Sequence, residues 1–414
     1  MKKTIQYIAV IVSLFLANSV TLRAADLIVT AGGAGGTYAT LAAAIAAANA
    51  NDRILVTPQA NNAAFIEGTL AITKSLQILS ATEGAYFIID GNINITPASA
   101  AINVTIEGMK LLTGGIQSTI ASPTGARSTI NLLYDSLAVG AVSFNHDNYN
   151  LICASNYIQN GVTFRFGKIL GNVIRDQVVI NTDASTNNPT DTVQIIGNKI
   201  TMNTSANTGA ITWNSTSQFY MIHNNFITLS YTGASVNYGI WSTNSKASSA
   251  GKNSVNNNTI YKPTGSINYG IPLNNGAGGV TEVMNNLVVA TMYNYAYSAN
   301  ANGLFDMHYN YATNFNWNAN TNDGTNQTAT NVTLNSDGLC TNAASNTING
   351  GNPDAAYDDL NLTRNDAGCY GGSFSLANFH PIVSNDWTRV IMLNAPRRVM
   401  VNGTINIQAT GFDK

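Results

Sequence analysis

The chain has 414 residues, of which only 10% are charged and 45% are hydrophobic, and its formal charge is −2. An average globular protein has roughly 25% charged residues, so uncharged polar groups must cover this surface, and 58 asparagines supply them. The apolar content excludes wholesale disorder, 35 Gly and 9 Pro without a triplet period exclude a collagen-like chain, and the near-neutral balance excludes nucleic-acid binding that relies on charge.

The first element in chain order is a targeting segment. Met1-Lys2-Lys3 is cationic, Ile5 to Leu16 is mostly apolar, and Leu22-Arg23-Ala24-Ala25 ends in small residues, the three-part pattern of a secretory signal peptide. The apolar run is well short of the roughly 20 residues that span a bilayer. Residues 1–24 are therefore set apart from the fold, which takes the formal charge to −5. A secreted, periplasmic or cell-surface location is expected, with no membrane insertion after cleavage. Export permits disulfides. A bridge between Cys340 and Cys369 would staple a loop-rich stretch, whereas Cys153 in Leu151-Ile152-Cys153-Ala154 reads as a packed core thiol.

Residues 38–48 carry the one strong helical pattern, with Tyr38, Leu41, Ile45 and Ala48 on a single apolar face. The glycines at 32, 33, 35 and 36 precede it, but without the Lys-Ser/Thr of a phosphate-binding loop they imply no nucleotide. Short strands separated by turn residues follow: Arg53-Ile54-Leu55-Val56, Leu70-Ala71-Ile72, Leu76-Gln77-Ile78-Leu79 and Phe87-Ile88-Ile89.

From about residue 100 to 310 one pattern recurs, an Asn followed two residues later by an aliphatic residue. It begins at Asn156, Asn172, Asn198, Asn225, Asn258 and Asn286, at intervals of 16, 26, 27, 33 and 28 residues. The first interval reads as too short for a complete turn of the same kind. Repeats of 20 to 50 residues made of short strands point to a solenoid. Asn suits its bends because it tolerates left-handed backbone angles and can hydrogen-bond the Asn stacked in the next coil.

The segment from Thr37 to Ala48 followed by Asp52-Arg53-Ile54-Leu55-Val56 resembles the capping helix and first strand of right-handed parallel β-helix proteins of the pectin-lyase-like superfamily. Val104 to Leu111 resembles one coil, and Gly351-Asn352-Pro353-Asp354 through Gly371-Gly372 resembles a closing segment of secreted bacterial members. The resemblance spans about residues 26–380. It implies an all-β solenoid over residues 25–380 with an N-terminal capping helix, and a short β-strand extension over 381–414. That extension reads as three strands: 389–392, 398–401 and 404–407.

A β-helix presents a long groove suited to an extended polymer. Uronate elimination on such a scaffold uses an Arg or Lys base, often with Ca²⁺ held by carboxylates, and hydrolysis uses two carboxylates about 5–9.5 Å apart. The densest charged cluster in the repeats is Arg165, Lys168, Arg175 and Asp176, followed by Asp183 and Asp191. These six are the candidate catalytic residues, the cations as base or charge stabiliser and the carboxylates as acid or metal ligand. Asn181-Thr182-Asp183 resembles the first motif of polygalacturonase-type hydrolases, although the Gly-His-Gly and Arg-Ile-Lys that accompany it are missing. The four histidines, His146, His223, His308 and His380, are scattered. Tyr231, Tyr238, Trp241, Tyr261, Tyr269, Tyr293, Tyr295, Tyr297, Tyr309, Tyr311 and Trp317 concentrate in the second half, where aromatic faces could stack on sugars or pack as core.

The sequence thus gives a secreted or cell-surface β-helix with a carbohydrate-facing binding or structural role, no identifiable catalytic site and no cofactor. A polysaccharide or cell-surface glycan is the expected partner. The alternative is a polysaccharide lyase or glycoside hydrolase acting on an extended polymer such as one containing uronates, with Ca²⁺ entering only under the lyase.

Overall fold

The computed structural model describes residues 25–123, 125–184, 190–204, 208–231, 237–246, 251–274, 279–292, 294–299, 304–314, 317–318, 324–380, 389–394 and 408–412. The signal-peptide assignment at residues 1–24 lies outside them, as do the strands expected at 398–401 and 404–407.

The described chain is a right-handed parallel β-helix. Among these residues twelve strands stack into one long sheet in strict chain order: Asp26–Val29, Asp52–Val56, Leu76–Ser80, Asn103–Glu107, Ser128–Leu133, Tyr149–Ala154, Gly167–Leu170, Thr192–Ile196, Phe219–His223, Asn253–Asn256, Val280–Met284 and Leu304–His308. Shorter strands carry each coil back, as in Tyr157–Ile158 and Val162–Phe164, which pair in parallel with Val173–Ile174 and Val178–Asn181 of the next coil. The helix is shorter than its apolar pattern, Leu41–Ala47, because Tyr38 instead bridges to Val29. Thr40 caps it by accepting from the Ala43 N–H, and its buried Leu41, Ala44 and Ile45 join the main core.

Register explains the core. One inward row of the long sheet runs Ile78, Ile106, Leu132, Cys153, Ile169, Ile195, Ile222, Val255, Val283, Met307, each a Cα partner of the next. None is more than 1% exposed, and burying each aliphatic side chain contributes roughly 1.5–3 kcal/mol. Cys153 therefore takes the place of an aliphatic residue, as expected, and burial pushes its thiol pKa up. Cys340 and Cys369 are also free thiols, although both line one small cavity.

The asparagines stack as expected. The amide Nδ2 of Asn156 donates to Oδ1 of Asn172 at 2.9 Å, and the same bond links Asn172–Asn198, Asn198–Asn225, Asn225–Asn258, Asn258–Asn286, Asn286–Asn310 and Asn310–Asn326 at 2.9–3.0 Å. Two expectations are corrected. The 16-residue interval from Asn156 to Asn172 is a complete coil, built from unusually short strands and turns. The left-handed angle, moreover, belongs to the residue before each rung up to Asn310: Ser155, Gly171, Gly197, Asn224, Asn257, Asn285 and Tyr309 have φ between 54° and 68°. One residue turns the chain, and the next directs its amide inward.

In the extension, Arg389–Asn394 pairs antiparallel with Gln408–Phe412 in a two-stranded sheet of its own.

Candidate functional site

The six charged candidates separate into several places. Asp183 (0% exposed) and Asp191 (9%) meet on one cation that the sequence reading missed, Arg127. Arg127 Nε and Nη2 donate to Asp183 Oδ2 at 3.2 and 3.1 Å, Nη2 lies 2.8 Å from Asp191 Oδ2, and the guanidinium sits 3.7 Å from the Phe166 ring centre. Arg165 pairs with Asp147, whose Oδ1 also accepts from the Ala184 N–H at 3.1 Å. These contacts tie Asp183, Ala184 and Asp191 to residues of earlier coils. Arg175 and Asp176 lie at another bend, Arg175 over the Tyr157 ring at 6.0 Å and Asp176 accepting from Thr204 at 3.1 Å. Lys168 stands in the long sheet between Ile152 and Gln194. The structure thus joins Asp183 to Asp191 but does not gather the six into one constellation.

A denser polar group lies on the outward face of the long sheet, near its C-terminal end. Register places Lys168, Gln194, Met221, Ser254, Glu282 and Asp306 in one outward row and Leu170, Ile196, His223, Asn256, Met284 and His308 in the next. These are the positions four and two residues before successive rungs, Asn172 through Asn310. Aligning the repeats on their asparagines would have revealed the group, whereas the histidines taken singly looked scattered.

Glu282 is the buried centre. Lys252 Nζ and Asn256 Nδ2 donate to its two carboxylate oxygens, and that hydrogen bond raises the Lys252 pKa against the opposing effect of partial burial. His223 pairs with the Ser254 hydroxyl at 2.8 Å, and burial pushes its pKa down to about 4 against the opposing charge of Glu282, so it is neutral at pH 7. On the outermost strand His308 Nε2 donates to Asp306, the two being 30% and 46% exposed, a base oriented by a carboxylate within reach of solvent.

The closing segment roofs this face. Asn224 Nδ2 donates to the carbonyls of Cys369 and Gly371 at 3.1 and 2.6 Å, Asn257 Nδ2 to Asp366 O at 3.0 Å, and Asn285 Oδ1 accepts from the Asn352 N–H at 2.8 Å. Further along, Phe379 packs on Ala154, Leu170 and Ile196. Each Asn-Asn pair therefore has a division of labour, the first amide holding the segment and the second extending the ladder. At 171 and 197 the first position is Gly, where a Cβ would meet Phe379 at 2.8 and 2.1 Å.

Between sheet and segment remains a cleft of about 210 Å³, lined by His223, Asn224, Asn256, Asn257, Glu282, Ala356, Tyr357, Asn365, Gly372, Ser373 and Phe374. Burial and then the Glu282 charge hold the Tyr357 pKa above its usual range. Among the described residues no group of three or more His, Cys, Asp or Glu side chains converges to hold a metal ion.

Of the aromatic candidates, Tyr231, Tyr297 and Tyr311 are core. Tyr238, Tyr269 and Tyr295 form a half-buried row with ring centres 5.7 and 6.0 Å apart, joined by Trp241 at 4.8 Å. Tyr261 lies against Phe226 and Tyr309 beneath Arg364. The side chains of Tyr293 and Trp317 lie outside the described residues. Comparison with family models, curated proteins and solved structures found no match.

Proposed function

We propose that this is a secreted β-helix protein of the pectin-lyase-like kind that holds an extended glycan against the outward face of its long sheet. One observation carries the reading: the cleft between sheet and closing segment is lined by amides, a phenol and the Phe374 ring, groups that hydrogen-bond sugar hydroxyls and pack on sugar faces. The signal-peptide pattern of residues 1–24 supports export to where such polymers occur. The test is retention of the protein on immobilised polysaccharides. Tyr357→Ala is expected to lose retention while keeping its unfolding midpoint; undiminished retention by a folded Tyr357→Ala would remove the cleft from the account.

A second reading, glycoside hydrolysis at the same place, is favoured by Glu282 and Asp306. They are Cα partners on adjacent strands of the outward face, which puts two carboxyl-bearing side chains on neighbouring strands, the pair of groups that glycoside hydrolysis uses. Release of reducing ends from a retained polymer, lost in Asp306→Asn, would establish it; unsaturated products would instead indicate elimination.

A further inference from the structure

We infer that the cleft takes an uncharged sugar chain in preference to a polyuronate, a conclusion that rests on the glycan-binding reading above. The cleft lining contains one charged residue, Glu282, and no Lys or Arg. Lys252, the cation nearest that carboxylate, is already committed to it, and Asn256 occupies the other oxygen.

A uronate carboxylate entering here would lose water without gaining a cation and would approach a carboxylate only 5% exposed. Both effects oppose it. Desolvating an anion without a partner is costly, and like-charge repulsion grows as the surroundings become less polar. Sites for sugar acids use forked Arg contacts or metal ions, and neither lines this cleft among the described residues.

Sugar hydroxyls meet no such obstacle. Tyr357, kept protonated, can both donate and accept, and Phe374 presents an apolar surface beside His223, their ring centres 6.0 Å apart. The inference also bears on chemistry at this place. Elimination draws its proton from the carbon beside a carboxylate, which an uncharged chain lacks, so bond cleavage here would be hydrolytic.

The experiment is affinity electrophoresis of the full chain in gels containing an uncharged β-glucan, xylan or mannan, or else polygalacturonate or alginate. Retardation by an uncharged polymer, unchanged over a tenfold rise in salt and about tenfold stronger than with either polyuronate, is expected. Glu282→Gln removes the lone carboxylate and releases Lys252, and should raise polyuronate retardation about tenfold. Stronger, salt-sensitive retardation of the wild type by polyuronate would overturn the inference and leave the glycan reading in place. Retardation by none of the polymers would overturn both. Should Glu282→Gln fail to fold, the salt dependence of the wild type decides alone.

Discussion

The main-chain N–H of Asp135 donates to Oδ1 of Asn156 at 2.7 Å, the bond that joins successive rungs above it, yet Asp135 brings a carboxyl oxygen where each Asn brings an NH2. Its Oδ1 accepts from the Met109 N–H at 2.9 Å, while the buried Oδ2 has no hydrogen-bond partner. Burial raises the pKa well above the usual Asp range, and the Glu107 charge adds to this. The native state therefore holds a proton that the unfolded chain gives up near pH 4. The stability Asp135 contributes is complete below that pH and is lost as pH rises toward its native pKa. Asp135→Asn places an NH2 donor there without requiring proton uptake and should stabilise by about 1–3 kcal/mol at pH 7, with the gain shrinking toward pH 4 in denaturant titrations. A variant no more stable than wild type at pH 7 would contradict this.

Gly197 and Phe379 should behave as a coupled pair. Gly197→Ala places a Cβ against the Phe379 ring at a backbone φ of 68°, so it is expected to destabilise by about 1–3 kcal/mol. In Phe379→Ala the space reopens, and the double variant should cost less than the two single changes added together. Strict additivity in urea denaturation would show that Phe379 does not dock there.

The repeat was legible because a ladder needs the same side chain at every coil, and a 16-to-33-residue recurrence of Asn followed by an aliphatic residue survives variable loops. The recurrence implies a solenoid of stacked coils, and the resemblance to right-handed parallel β-helix proteins implies the parallel long sheet. The candidate site was not legible residue by residue. His223, Glu282 and His308 are up to 85 positions apart, and only register turns them into neighbours. Arg127 was missed for a related reason: it meets Asp183 and Asp191 across 56 and 64 positions of sequence, which only the stacking of coils brings together. Nor does any local pattern say that residues 351–380 return across the sheet, since their anchors are single amides at three bends and one ring, Phe379, against two glycines.

Arg127 is expected to act as a structural anchor. Arg127→Ala leaves the fully buried Asp183 without its cation, which should cost about 3–5 kcal/mol. Limited proteolysis should then cut within 182–191. Unchanged stability would mean that the ion pairs contribute little, and loss of glycan retention by a stable variant would point instead to a direct binding role.

The ladder itself should tolerate substitution poorly. Asn258 accepts from Asn225 and donates to Asn286, and its Nδ2 also reaches Ile222 O at 2.8 Å. Asn258→Leu therefore strands buried partners on both sides and is expected to cost about 1–3 kcal/mol. The exposed Asn203→Leu serves as the control; equal effects of the two in thermal unfolding would remove the special role of the rungs.

Hydrogen exchange of the full chain with and without a saturating uncharged oligosaccharide locates the bound sugar most directly. Slower exchange is expected in the strands Phe219–His223, Asn253–Asn256 and Val280–Met284 and in residues 356–374 of the closing segment, with little change around Arg127 and Asp183. Protection confined to other coils, or none at all under conditions where the polymer retains the protein, would contradict a binding site between the long sheet and the segment that covers it.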